Sequence, residues 1–231
     1  VRGEGIVTPS GISELHPARI QSMMRTEAFG RPTILFERTI STNDAALAAA
    51  AMGAAEGTMI VAERQFRGRG RKGRAWISSP GRSLTFSLIL RPPGGTEGIT
   101  LCAALGVAEA LDGPAGRTGI KWPNDIWIGE RKAAGILSEA REGAVVVGIG
   151  VNVNERSDDF PVELRHDAVS LLMATGTIHD RGDLLCRILL SCEHYYRLWR
   201  GAGFGAIAAE AEARLLHIGE EVVVDAGARR F

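Results

Sequence analysis

Between Gly68 and Trp76 the chain reads GRGRKGRAW, in which three glycines alternate with Arg69, Arg71, Lys72 and Arg74. Glycine lets backbone approach a ligand closely, and guanidinium forks hold carboxylate or phosphate oxygens two at a time. The segment reads as a mobile loop that grips anions, disordered or displaced when no ligand is bound. GRGRKG also satisfies G-x-G-x-x-G, and a strand precedes it, but a dinucleotide-binding turn must open a helix. AWISSPG follows instead, and its β-branched residue, two serines and Pro-Gly turn do not suit a helical first turn. A solvated basic loop and an Arg/Gly module for RNA are the remaining alternatives. RNA-binding tracts of that kind usually recur or sit in a basic domain, and neither holds here.

Four other constellations carry polar chemistry. In KWPND, Lys121 ends one strand and Pro123-Asn124-Asp125 leads to the next. It reads either as a plain turn or as an ammonium and a carboxylate at one end of a sheet, suited to a nucleotide phosphate and its Mg²⁺. In RKAAGIL, Lys132 stands at a strand entry, and Gly135 inside the strand marks a bulge or a close ligand approach. In GIGVNVN, Asn152 and Asn154 face a ligand or merely leave the sheet, with nothing in the pattern to choose between them. In STND, Ser41 has the place of an N-cap before an alanine-rich helix, where unpaired N–H groups also suit a polar ligand.

Lys plus Arg and Asp plus Glu both number 27, so the 231-residue chain has zero formal charge and no global field toward nucleic acid or an anionic membrane. Hydrophobic residues make up 45%, enough for one sizeable core. Cys102, Cys186 and Cys192 have neither C-x-x-C spacing nor clustered histidines and read as reduced core residues. No apolar run approaches a membrane span and no secretory pattern opens the chain, which points to a cytoplasmic protein.

These residues need elements to hold them. Strands are predicted over residues 33–37, 58–64 and 83–90, with helices over 43–52, closed by Gly53, and 99–111. Short strands follow over 119–122, 125–128, 133–140 and 144–153, separated by turn signals such as Glu142-Gly143. Their short connections favour antiparallel pairing, because parallel strands need crossovers. Helices over 180–199 and 204–216 and a strand over 221–225 complete the reading. The fold class is α+β, a mixed, largely antiparallel sheet flanked by helices. Residues 1–30 read as an N-terminal extension, 31–216 as the catalytic domain, and 217–231 as the start of an incomplete C-terminal β module.

STND, Q-x-x-GRGRKGRAW, KWPND, RKAAGIL and GIGVNVN, in that order over residues 33–216, resemble the catalytic domain of biotin protein ligases. The resemblance implies a fold related to class II aminoacyl-tRNA synthetases and lipoate ligases, with a small SH3-like C-terminal domain. It is to the monofunctional type, without the N-terminal DNA-binding domain. It implies activation of biotin by ATP and Mg²⁺ to biotinyl-5′-AMP, then transfer to one lysine of a biotin carboxyl carrier domain of a carboxylase. It allows a homodimer and calls for neither nucleic acid nor membrane. By motif position, Ser41, Thr42, Asn43, Gln65, Arg69, Gly70, Arg71, Lys132 and Gly135 correspond to the biotin-binding set. Arg71, Arg74, Trp76, Lys121, Asn124, Asp125 and Asn152 correspond to the ATP and adenylate set, with Asp125 toward the metal. Arg69, Lys121 and Lys132 would carry the chemistry, by neutralising and aligning two anions. Phe66 and Arg67 depart from the small or polar residues frequent at their positions. A lipoate or other acyl-protein ligase is the enzymatic alternative and an Arg/Gly RNA-binding module the non-enzymatic one.

Overall fold

The computed structural model describes residues 13–221, apart from residue 94 and residues 114–115. A seven-stranded sheet runs in the order β1 (Thr33–Thr39), β2 (Met59–Gln65), β5 (Leu84–Leu90), β9 (Ala144–Val151), β8 (Arg131–Arg141), β7 (Asp125–Ile128), β6 (Gly119–Lys121). Only β1 and β2 pair in parallel, joined by the crossover helix α2 (Thr42–Ala51); every other neighbouring pair in this sheet is antiparallel. The sheet is therefore mixed and largely antiparallel, as the short connections require. Glu142 and Gly143 turn β8 into β9 with φ of 49° and 77°, the doubly positive φ of a two-residue hairpin turn.

Strand alternation sends side chains to two faces. Leu84, Phe86, Leu88 and Leu90 of β5, with Val145, Val147, Ile149 and Val151 of β9, join the main core. Above them lie α3 (Ile99–Leu111) and α5 (Arg181–Ala202), which pack against each other, with α6 (Gly205–Arg214) beside them. Full burial of a side chain such as Phe86 stabilises the fold by about 1.5–3 kcal/mol relative to exposure. On the opposite face Ile60, Ile89, Ala144 and Val146 meet the alanines of α2. Small side chains let this helix sit close to the sheet, and it covers only part of that face.

The described part of the segment read as an extension is built into the same domain. It holds α1 (Pro17–Met23), and Leu15, Ile20, Met24 and Phe29 belong to the main core. Buried Glu193 of α5 accepts the backbone N–H groups of Glu27, Ala28 and Phe29 at 2.7–2.9 Å. Arg181 at the start of α5 reaches Glu14 at 2.9 Å and Glu63 of β2 at 2.7 Å. Few apolar residues separated by polar ones carry these anchors, so periodicity alone did not disclose them. The strand predicted over residues 221–225 lies almost entirely outside the described residues. No helix among the described residues is long and apolar enough to cross a membrane.

Candidate functional site

A cleft of about 640 Å³ opens on the sheet face that α2 leaves uncovered. Its floor follows from sheet register. Ser87 of β5, Gly148 of β9 and Leu137 of β8 lie side by side, and the next row runs Thr85, Gly150, Gly135 and Asp125. Glycines at 135, 148 and 150 leave a trough where side chains would stand. Two large groups occupy it. A Cβ on Gly148 would come within 2.1 Å of Asn43 Oδ1, and one on Gly150 within 2.3 Å of the Trp76 indole.

At one end lies the N-terminus of α2. Ser41 is its N-cap but makes no side-chain capping hydrogen bond, so the cap predicted from STND is positional, and the residue lines the cleft. The Thr42 N–H donates instead to Gln65 Oε1 at 2.8 Å. Ser87 Oγ lies 2.8 Å from Thr42 Oγ1 and 2.6 Å from Asn43 Oδ1, while Asn43 Nδ2 donates to Leu137 O and to Glu139 Oε2. Ser41, Thr42 and Asn43 are all buried. They form a polar corner fixed by its own hydrogen bonds.

The arginine loop roofs the cleft. The segment read as mobile forms a two-stranded antiparallel ladder, β3 (Gly68–Arg69) with β4 (Ala75–Trp76), closed by Gly70 N–H donating to Arg74 O at 2.7 Å. Lys72 takes a left-handed φ of 56° at its tip. Arg69 pairs with Asp44 at 2.6 Å and with Glu139 at 3.0 Å, and the Asp44 hydrogen bond, with Glu139 behind it, raises its pKa further. On the far side Arg71 Nη1 reaches Asn124 Oδ1 at 3.4 Å.

At the other end Lys132 Nζ donates to Asp125 Oδ1 at 2.7 Å and stands 5.7 Å from the centre of the Trp76 ring. Lys121 Nζ lies 4.1 Å over the Trp127 ring, a distance at which an ammonium is attracted by the ring face. Asn124 is fixed by Nδ2 donating to Ile136 O at 2.8 Å. Asn152 donates to the carbonyls of Lys132 and Val169. Its neighbour Asn154 instead clamps His179 through both N–H and C=O. The indole N–H groups of Trp76 and Trp127 are buried without a partner among the described residues, which is unusual unless something else supplies an acceptor.

Every residue that the motifs assign to the biotin and adenylate sets lines this cleft, whereas Asn154 does not. Phe66 and Arg67 do not; Phe66 is exposed, with the Arg64 guanidinium 5.2 Å over its ring. The sequence reading missed Ser87, Asp44, Glu139, Trp127, Gly148 and Gly150. Glycine at alternate positions 148 and 150 was a legible sign of a strand face kept empty.

Residues 35–154 match the model of the biotin/lipoate A/B protein ligase family. The chain belongs to that family. The bifunctional ligase/repressor BirA of Bacillus spizizenii is 40% identical over 228 residues, 95% of this chain and 70% of that protein. The biotin–[acetyl-CoA-carboxylase] ligase of Mycobacterium tuberculosis is 34% identical, covering 91% of this chain and 83% of that one. Among solved structures, the biotin protein ligase of Aquifex aeolicus in complex with biotin and ATP superposes with a TM-score of 0.78 at 32% identity, over 86% of this chain and 84% of that chain. The ligase-family match spans β2, the arginine loop, the KWPND turn and the glycine-bearing strands, which are the segments that build the cleft.

Proposed function

We propose that the cleft binds biotin and ATP, forms biotinyl-5′-AMP with release of pyrophosphate, and passes biotin to a lysine of a biotin carboxyl carrier domain of a carboxylase. The observation that carries this reading is the pairing, in one cleft, of a hydrogen-bonding corner at buried Ser41 and Thr42 and half-buried Gln65 with cations at Lys132, Arg71 and Lys121. Biotin has a polar ureido edge on an apolar bicycle and a carboxylate far from it, so it needs donors and acceptors at one end and positive charge at the other. The similarity to proteins named as biotin–[acetyl-CoA-carboxylase] ligases supports the same assignment.

A carboxylate oxygen of biotin attacks the α-phosphorus as the bond to pyrophosphate breaks. Both reactants are anions, so the main work of Lys132 and Lys121 is to offset charge and hold the two in line, while Arg69, paired with Asp44 and Glu139 beside the polar corner, holds the loop over them. The amine of the carrier lysine then attacks the acyl carbon, an amide forms, AMP leaves and a proton is released. No side-chain nucleophile is needed. The Trp76 indole, seated on Gly150, offers a flat face for the adenine, and Asn152, Asn124, Arg71 and Arg74 border the same space.

Among the described residues no group of three or more His, Cys, Asp or Glu could hold a metal. Mg²⁺ in nucleotide sites takes only one or two carboxylates and is carried mainly by phosphates, and Asp125 is a carboxylate on the cleft wall. Asp125 would hold it, and Mg²⁺ would neutralise phosphate charge as ATP reacts.

Calorimetric titration of the purified chain with biotin and with lipoate tests substrate class. Saturable biotin binding with little response to lipoate is expected. Preference for lipoate would replace the assignment with a lipoate ligase, and indifference to both would overturn it.

A further inference from the structure

We infer that Glu139 is a positioning residue that latches the arginine loop and sets the polar corner of the cleft with one carboxylate. The inference rests on the adenylate-forming reading above. Glu139 lies on β8 opposite Val146, on the cleft face of the sheet, and is absent from the residues the family motifs point to. Its Oε2 accepts from Asn43 Nδ2 at 2.7 Å, and both of its oxygens accept from Arg69 Nη2 at 3.0 and 3.1 Å.

The contact with Asn43 fixes an amide. With Nδ2 donating to Glu139 and Leu137, the Asn43 carbonyl oxygen must face Ser87, which in turn touches Thr42, the partner of Gln65. Without Glu139 that amide has a weaker reason to point one way. The contact with Arg69 acts on the loop. Arg69 is flanked by Gly68 and Gly70, so the backbone there is held less by its own stiffness than by what the guanidinium grips. Glu139 and Asp44 hold that guanidinium on one side of the cleft, while Arg71 and Asn124 meet on the other. The loop is thus pinned at both banks, and Glu139 couples its closure to the corner that would recognise the ureido group.

Two substitutions separate these roles. Glu139→Gln keeps an amide oxygen that can accept from Asn43 but removes the charge facing Arg69; Glu139→Ala removes both. In Glu139→Ala, biotinyl-AMP is expected to dissociate about fivefold faster, the upper range for a partly exposed ion pair. Its KM for biotin should rise about tenfold, as expected when a buried amide loses its partner. In Glu139→Gln the faster dissociation is expected to remain while KM for biotin stays within about twofold of the parent.

A readout that needs no biotin keeps the latch separate from the function. Trypsin can cut after Arg71, Lys72 and Arg74, and in ligand-free Glu139→Ala, Glu139→Gln and Asp44→Asn these loop cuts are expected to be several-fold faster, with an unchanged thermal midpoint in Glu139→Gln and Asp44→Asn. Loop cutting at the parental rate in all three variants would overturn the latch even if the parent protein binds biotin. Accelerated cutting in a chain that ignores biotin would leave the latch standing and sink the functional reading instead.

Discussion

Lys132 and Asp125 form an ion pair of 2.7 Å between β8 and β7, with the lysine side chain also against Gly135, where a Cβ would come within 3.1 Å of its ammonium. The glycine therefore clears the path along which Lys132 reaches the cleft. About a third of the lysine side chain and a fifth of the aspartate side chain remain exposed, so the pair adds no more than about 1 kcal/mol to stability. Lys132→Ala is expected to slow biotin-dependent pyrophosphate release about 10²–10³-fold, the usual cost of losing one preorganised charge-stabilising group. The thermal midpoint should move little. Loss of cooperative unfolding in the variant would instead mark Lys132 as structural.

Gly150 is expected to tolerate no side chain without displacing Trp76, since a Cβ there would lie 2.3 Å from indole Cε2. Gly150→Ala should weaken ATP and adenylate binding about tenfold, because base stacking on an aromatic ring contributes about 1–3 kcal/mol. Biotin affinity measured without ATP should stay close to the parental value. Equal losses for biotin and ATP would contradict the placement of adenine on Trp76.

Arg181 is nearly inaccessible and reaches two carboxylates, Glu14 and Glu63, as well as the Ser83 carbonyl. Burial alone would lower its pKa, but Glu63 and Glu14 outweigh that and raise it. Glu14 is also buried, and burial pushes its carboxyl up despite the arginine. Arg181→Ala should cost about 3–5 kcal/mol, because it strands buried charge. Urea unfolding would show a lower midpoint at unchanged slope. A loss below about 1 kcal/mol would mean that residues 13–30 are less firmly joined to the domain than this network implies.

Glu155 is buried, with its Oε2 lacking a partner among the described residues, and burial raises its pKa above the ordinary 4.5 although Ser83 donates to Oε1. A raised carboxyl binds its proton more tightly in the folded state than in the unfolded one. Its contribution is therefore full below pH 4.5 and is lost as pH climbs from there through the raised folded value. Glu155→Gln keeps an acceptor for Ser83 and removes the titration, so the variant should gain on the parent progressively across that window. Parallel stability curves for the two proteins between pH 4 and 8 would show that the carboxyl ionises in the fold without penalty.

What the sequence disclosed depended on how local the cause was. The strands from β6 to β9 were legible because alternation and turn residues act over a few positions, and GRGRKGRAW, KWPND and RKAAGIL were legible as contiguous motifs. The parallel pairing of β1 with β2 depends on a crossover and on long-range packing, which no short window contains. Glu139 and Ser87 escaped notice because each is one polar residue in a strand, and their partners Asn43 and Arg69 lie 96, 44 and 70 positions away. Asn152 and Asn154 could not be told apart in GIGVNVN. Their hydrogen bonds beyond the end of β9 answer that question, since Asn152 borders the cleft while Asn154 fastens the chain at His179.

The most direct test of the central claim is to incubate the purified chain with biotin, MgATP and a biotin carboxyl carrier domain and to weigh both the small-molecule products and the carrier by mass spectrometry. Biotinyl-5′-AMP is expected to form before the carrier is added. The carrier should then gain one biotinyl group on a single lysine as AMP appears. A folded chain that binds biotin yet yields neither pyrophosphate nor the adenylate would contradict the proposed function.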